Sequence, residues 1–558
     1  MDKQWAQAPA PRHQQVLFAE TLDEVVAADH TIRRLEAILL GLDWRAWEAR
    51  YDGYRGQPPL HPRLVAAAIL YGLLRKVRSS RELEAATKER LDFRWFLEGR
   101  TIDHSTFAGF RTRFGPELKE LFKQIGRVIC QTHEEALVEL VIDGTRMRAN
   151  SDRHGARTAQ WLEQQAARCV EELNQRLARL GQADDQQVQA DEESQRLRTE
   201  VARLQAQVTQ YENALEQARI RDAAKQAKDG KGALPVRVPV TDPDSMIVPN
   251  KEGGFAPNYT PTVAVDVATG MIVLADVLNG SDENTAVLPA IAQAELIAGV
   301  APQRVLADSG FASGENLQAL EALGIEAYMP TDTDFRPENP AIREDPSQPV
   351  PEAQREDLAR RGGKLGRPAF VYDAQNDQYR CPMGVALLPV CHDKSGTRYQ
   401  CPGKAGCPMA DQCVKDTSAA RTIVRDQYQE QRETVGRRMA TPEGRAVYKK
   451  RAPVVEGTFA RLKQGMGIRG FLMRGLAKVR TEWNWICTGY NLKRLMVIQV
   501  NAGPGKPEKP VLEPPGTGQK GQKGRLRLFT YIMDVLNRLI RHAAWLRVAV
   551  MPAALHAA

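Results

Sequence analysis

The chain has 558 residues, with 77 Lys and Arg against 69 Asp and Glu, a formal charge of +8 and a pI near 9.0. That length can bury a sizeable core and requires more than one domain. The N-terminal stretch MDKQWAQAPAPRHQQ lacks an apolar core, and the most apolar runs, such as Leu64 to Leu74, are short and bounded by Arg and Lys. A signal peptide and a membrane span are therefore not expected, and the chain reads as cytoplasmic.

Residues 1–130 read as a helical domain. PPLHPRLVAAAILYGLLRKVRSSRELEAATKERLDFRWFL opens on a Pro-rich turn, runs through an apolar helix from Leu64, and restarts at Ser79-Ser80, which can cap a helix carrying Glu82 and Glu84. Thr101 to Thr106 offers further capping side chains before Phe107, Phe110 and Phe114, with Arg111 and Arg113 expected on the solvent side. This cadence suits DNA binding, and any small helical domain shares it.

Within 131–157, ALVELVIDGT is a β-branched run that ends on Asp143-Gly144. A strand delivering one acid at its tip is a good place for a metal ligand, although Asp-Gly also ends strands simply as a turn. Residues 158–230 repeat Leu, Val and Tyr at three- and four-residue spacing. They predict a helical hairpin inserted into a catalytic domain, joined near Gly181 to Asp185. Residues 231–330 resume the sheet. Val263, Val265 and Val267 alternate into the turn Ala268-Thr269-Gly270, and Ile272, Leu274 and Val277 return from it. A helix from Thr285 to Ala298 follows, then VLADSG, a second short strand with an acid, Asp308, at its tip. A helix from Glu315 and a strand from Ile325 to Met329 complete this part.

Residues 331–440 form a polar, Pro-rich insertion carrying Cys381, Cys391, Cys401, Cys407 and Cys413. Clustered thiols in a cytoplasmic chain suggest a metal more than a disulfide framework. Cys381, Cys401, Cys407 and Cys413 are the expected ligands of a structural Zn²⁺, with Cys391 or His392 as a substitute; reduced, partly buried cysteines are the other reading.

Residues 441–500 contain YKKRAPVVEGTFARLK, around which the rest is organised. Pro453 fits the first turn of a helix, and Val455, Phe459, Leu462 and Met466 form one buried stripe. Glu456 and Lys463 lie nearly two turns apart on one edge of that stripe, just after Lys449, Lys450 and Arg451, a combination able to hold a metal ion and a phosphate together. From Arg421 to Arg494 there are 17 Lys and Arg against 6 Asp and Glu, an excess above that of the whole chain, which implies a polyanionic partner. The basic run continues as a helix end after Lys463 with Arg469 and Arg474, and Trp483 to Val500 is expected to be a helix closing the core. Residues 501–524 read as a Pro/Gly/Lys linker and 525–558 as a basic amphipathic helix. If the strands bearing Asp143 and Asp308 are neighbours in one mixed sheet, Glu456 can complete a set of three carboxylates suited to Mg²⁺.

These segments carry a specific resemblance. GLLRKVRSSRELEAA, TIDHSTFAGFR, VIDGTRMRAN, VLADSGFAS and VYKKRAPVVEGTFARLK resemble bacterial insertion-sequence transposases of the DDE type, close to the insertion-sequence eleven-eighty-two group. The resemblance implies an α/β fold: an RNase H-like mixed sheet flanked by helices, with an N-terminal all-α domain, a coiled-coil insertion and a Cys-rich insertion. It implies Asp143, Asp308 and Glu456 as catalytic and metal-binding, with Mg²⁺ or Mn²⁺. Tyr448, Arg451 and Lys463 match the rest of a Tyr/Arg/Glu/Lys signature, and with Lys449, Lys450, Arg469 and Arg474 are expected to contact DNA. Four residues separate Arg451 from Glu456, where the commonest form of the signature has three. The implied partners are terminal inverted repeats and target DNA, bound by a homodimer at the nucleoid. A nuclease of the same fold without strand transfer, and a non-catalytic domesticated DNA-binding protein, are the alternatives.

Overall fold

A computed structural model describes residues 21–51, 58–133, 135–185, 192–229, 234–249, 253–278, 283–403, 406–414 and 420–501. The linker and basic helix expected after residue 501 lie outside the described residues. The chain divides into two compact units, one taking the described residues up to Phe122 and from Thr488 on, the other Lys123 to Cys487.

The first unit is helical. The Pro62–Leu74 helix is apolar on every side and buried almost throughout, as a central helix must be. Around it, Trp47 stacks on Phe114 at 5.0 Å and Tyr71 meets Phe93 at 5.0 Å, with the Tyr71 hydroxyl donating to Asp92. Ser79 and Glu82 form the expected reciprocal capping box at the Ser80–Glu89 helix, and Asp103 caps His104–Arg113. Arg113 is exposed as expected, but Arg111 is buried: its guanidinium donates to the Arg78 carbonyl at 2.5 Å. That bond draws a long basic side chain inward at a position that charge alone assigns to solvent.

In the second unit, a seven-stranded mixed sheet contains the five strands that position the site: β1 (Glu139–Gly144), β2 (Phe255–Asp266), β3 (Ile272–Leu278), β4 (Arg304–Leu306) and β5 (Glu326–Tyr328), while the short strands Met147–Arg148 and Met246–Pro249 pair with the N-terminal half of β2. Their order is β3-β2-β1-β4-β5. Pairs β1–β2 and β2–β3 are antiparallel, whereas β1–β4 and β4–β5 are parallel. The β2–β3 turn is held by buried Asp266, which accepts from the Leu137 and Thr269 amides, while Gly270 adopts φ +67°. The parallel strands are linked through the Gly314–Ala322 helix, and Gln429–Ala440 packs beside it, with Gln431 bonded to Glu321 at 3.0 Å and Arg438 to the Ala327 carbonyl at 3.0 Å.

Two excursions leave this sheet. Helices Ala159–Asp185 and Glu192–Asp229 pair antiparallel, tied by Arg176–Glu200 and Arg219–Glu163 ion pairs, around Leu162, Ala214, Leu215 and Ala218. The first helix continues through Gly181 to Asp185, where a junction was expected, because one Gly costs a long paired helix only about 1 kcal/mol. The second excursion is a five-stranded antiparallel sheet in sequential order: Val371–Asp373, Gln378–Arg380, Ala386–Asp393, Gly396–Gln400 and Thr422–Arg425. It has its own apolar cluster, including Phe370, Tyr379, Leu387, Tyr399 and Ile423.

Candidate active site at the strand tips

The β1–β4 pairing aligns Glu139 with Arg304, Leu140 with Val305 and Val141 with Leu306. Continued by two residues, that register sets Asp308 opposite Asp143. Side chains alternate along a strand, so Glu139, Val141 and Asp143 share one face of β1.

Each aspartate is held by its own turn. Asp143 Oδ1 accepts from the Gly144 amide at 2.9 Å, and Asp308 Oδ1 accepts from the Gly310 amide at 2.8 Å while capping the turn Ser309–Phe311. Both Oδ2 atoms then face a single nitrogen: Arg451 Nη2 lies 3.2 Å from Asp143 Oδ2 and 3.5 Å from Asp308 Oδ2. Two carboxylates this close repel one another, and the guanidinium between them supplies the compensating positive charge. Tyr448 is half-buried beside Arg451; burial pushes its hydroxyl up, and the Asp308 charge adds to the shift.

Arg451 starts the Arg451–Ala460 helix, in whose first turn Pro453 sits as expected. The stripe Val455, Phe459, Leu462 and Met466 is buried as the spacing predicts. One residue earlier, Lys450 donates to Glu139 Oε2 at 2.8 Å, and Arg304 donates to Glu139 Oε1 at 2.7 Å. Burial alone would raise the Glu139 carboxyl, but the hydrogen bonds from Lys450 and Arg304 outweigh it and hold the carboxyl below the ordinary glutamate range. Lys450 and Arg451 thus grip the same face of β1 at its start and at its tip.

The helix ends in a π-helical turn, Arg461–Gly465, which places Lys463 on the segment just past the β1 tip. Its ammonium donates to Thr145 Oγ1 at 2.7 Å and to the Arg146 carbonyl at 3.2 Å. Such wide turns recur at functional sites. The extra width also breaks the uniform pitch from which one shared edge for Glu456 and Lys463 was expected. The residues after Lys463 are not a helix end: from Met466 to Gly475 the chain is irregular, and the closing helix starts at Leu476. Gly467 and Gly475, at φ +74° and +83°, break the helix, and the segment is fixed by other means. Phe471 is buried against Tyr259 and Trp483, its amide donates to the Arg148 carbonyl at 2.9 Å, and Asp242 and Asp244 accept from the Gly475 and Leu476 amides.

The structure therefore brings Asp143, Asp308, Tyr448 and Arg451 together and sets Lys463 beside them. Glu456 is exposed on the Arg451 helix and does not join the two aspartates in a group whose ligand oxygens all lie within 4.8 Å of one another. Among the described residues, the one group of three His, Cys, Asp or Glu whose ligand atoms approach within 4.8 Å is Glu84, Asp103 and His104, in the first unit, where Asp103 caps a helix and His104 pairs with Glu84. Of the basic residues expected on DNA, Lys450 is engaged by Glu139, Arg474 donates to the Asn150 carbonyl at 2.9 Å, and Lys449 and Arg469 are exposed. Glu139 and Thr145 were not singled out in the sequence, although Glu139 stands four residues before Asp143 and so shares its strand face.

The paired aspartates meet the chemical requirement for a hard divalent cation: oxygen donors, a negative field, and a positive group already drawn to the point between them. Asp143 and Asp308 would hold such an ion, with Glu456 the remaining carboxylate on the adjoining helix.

Two family models match the chain: one described as a transposase domain (DUF772), on residues 20–113, and one described as a transposase DDE domain, on residues 380–496. Both are models of transposase domains. The second covers the five clustered cysteines and the Glu456 helix together, and the two matches support a DDE-type bacterial insertion-sequence transposase. Searches of curated proteins and of solved structures gave no match. Among the described residues no helix is long and apolar enough to cross a membrane.

Proposed function

We propose that the chain cleaves phosphodiesters at the ends of a mobile element with divalent cations and joins the freed 3′-hydroxyl to target DNA, using Asp143, Asp308 and Glu456. The observation that carries this reading is the convergence of Asp143 and Asp308 on Arg451 Nη2 from neighbouring parallel strands. A mixed sheet in which β2 alone runs against the other four strands, with the acids at adjacent central tips, supports an RNase H-like core.

When bound, divalent cations would activate a water or 3′-hydroxyl and offset charge on the leaving oxygen. The chain's own groups do the rest. The Gly144 and Gly310 amides hold each Oδ1, so that each Oδ2 remains directed at the reaction point. Arg451 neutralises the aspartates before DNA arrives and then turns its planar guanidinium to a phosphate of the cleaved strand, whose two non-bridging oxygens it matches in two hydrogen bonds. Lys463 stands at the β1 exit as a second phosphate contact, Tyr448 borders Arg451 as a wall for the flanking nucleotide, and Lys449 and Arg469 extend the cationic path. The first unit, with exposed Arg113, is assigned to recognising the terminal repeats. A homodimer would bridge two element ends.

The test incubates the full chain with duplexes carrying the element's terminal repeats, a supercoiled plasmid and Mg²⁺. Joined products are expected, and Asp308→Asn should abolish both cleavage and joining while leaving DNA retention in a gel unchanged. Cleavage without any joined product would instead identify a nuclease, and cleavage undiminished in Asp308→Asn would reject the site.

A further inference from the structure

We propose that Cys381, Cys401, Cys407 and Cys413 form a structural zinc site on the small antiparallel sheet, separate from the strand-tip carboxylates and independent of their chemistry. The four side chains line one cavity of about 280 Å³. Cys391, the fifth cysteine of the region, does not line it and lies exposed in the middle strand. The geometry thus selects four of five thiols, the number that a closed tetrahedral site requires.

Topology explains the selection. Strands Gln378–Arg380 and Gly396–Gln400 are both antiparallel to the strand between them, so they run in the same direction. Cys381 and Cys401 each follow the last residue of one of them and leave the sheet at the same edge. Cys407 precedes the short helix Ala410–Cys413 and Cys413 ends it, and Ala410 lines the cavity with them.

The turns are built around the sulfurs. Cys381-Pro-Met-Gly folds back tightly: Gly384 donates to the Cys381 carbonyl, and the Met383 amide points at Cys381 Sγ, 3.3 Å away. Gly384 adopts φ +77°, and a Cβ there would stand 2.0 Å from the Ser347 carbonyl oxygen, so only glycine fits. A backbone N–H aimed at a sulfur is the outer hydrogen bond that steadies a metal-bound cysteine in place. A zinc ion with four thiolates bears two excess negative charges, and Arg421 lines the same cavity, held over the Phe370 ring at 5.0 Å and bonded to the Cys413 carbonyl at 3.2 Å. No three sulfurs lie within 4.8 Å of one another, so binding would draw them inward by side-chain rotation, to about 2.3 Å from the ion.

The test measures metal in the full chain purified without chelator, together with binding of added Zn²⁺ and Co²⁺. Expected are about one zinc per chain and, after exchange, the visible bands of tetrahedral cobalt bound by thiolates. Cys391→Ser should keep both signals, and Cys407→Ser should lose the metal at least tenfold. Because a ligand variant could also fail through misfolding, wild-type protein is stripped of metal and titrated with Zn²⁺ as well, with protease resistance of the 331–428 region read alongside. A metal-free wild type that neither takes up Zn²⁺ nor gains protection overturns the proposal, as does equal metal loss in Cys391→Ser. Asp308→Asn should retain the zinc, so failure of the catalytic reading and failure of this one are distinguishable.

Discussion

The strand-tip carboxylates and the cysteine cavity are built by opposite means. Asp143 and Asp308 are far apart in sequence and are brought together by strand register, with each carboxylate oriented by its own turn and their mutual repulsion cancelled by Arg451. The four cysteines come from one local stretch, and no three of their sulfurs lie in ligand contact. Charged ligands need a resident counter-charge in order to wait in place. At the proposed zinc site the ion itself would draw the sulfurs together.

That contrast makes its strongest prediction at the acids. Asp143→Asn, which keeps the hydrogen-bonding shape and removes the charge, should lower DNA cleavage by at least about 10³-fold, near 4 kcal/mol of transition-state stabilisation. The comparison to make is with Cys407→Ser under zinc-replete conditions, where cleavage should fall far less than in Asp143→Asn. Equal losses would mean that the two regions are not separate devices. Next in size is Leu387→Ala. Leu387 is fully buried in the cluster beneath the cysteine cavity, and its truncation should cost about 3 kcal/mol in denaturant unfolding of that region. A change under about 1 kcal/mol would show that the small sheet is not supported by its apolar cluster.

What could be read from the sequence follows the same division. Strand-tip acids, the β2–β3 hairpin and the Val455–Met466 stripe were legible because each is a local pattern of period two or 3.6. The capping box at Ser79 was legible for the same reason. The pairing of β1 with β4 could only be posed as a condition, since no local signal specifies which strands become neighbours. Arg451's place was hidden by its spacing from Glu456, yet the guanidinium lies between the two aspartates. Arg111 was assigned by charge to solvent, but the Arg78 carbonyl draws it inward; the pairing of Lys450 with Glu139 is likewise a long-range contact that no local pattern announces. The π-helical turn at Arg461–Gly465 had no counterpart in a reading that assumes uniform helical pitch.

If Arg451 is the resident counter-charge, it competes with the cation for the aspartates. Arg451→Gln should therefore bind Mg²⁺ more tightly, by about tenfold for the removal of one nearby like charge, or ~1.4 kcal/mol. The same variant should cleave DNA more slowly, because its phosphate contact is lost. Isothermal titration with Mg²⁺ and single-turnover cleavage measure the two effects on one preparation. A variant that binds Mg²⁺ more weakly would make Arg451 a supporting element of the site and remove the competition.

The smallest expected effect concerns Glu139, which anchors Lys450 and with it the start of the Arg451 helix. Its carboxyl is held below the glutamate value of 4.5 in the folded chain by bonds that outweigh burial, so the folded state favours the ionised form more than the unfolded chain does. The contribution is therefore fully present above that unfolded value and is lost as pH falls through the lower folded value. Lys450 and Arg304 are both partly exposed, and solvent screening limits the gain to about 1 kcal/mol. Glu139→Gln, which keeps an acceptor and cannot titrate, should be less stable than wild type by that amount at pH 7, and the gap should close as the pH falls below the unfolded glutamate value. Urea unfolding of both proteins across that range isolates Glu139, since every other carboxylate titrates alike in the two. A gap that stays constant with pH would assign Glu139 a packing role and leave the placement of Arg451 to the Val455–Met466 stripe alone.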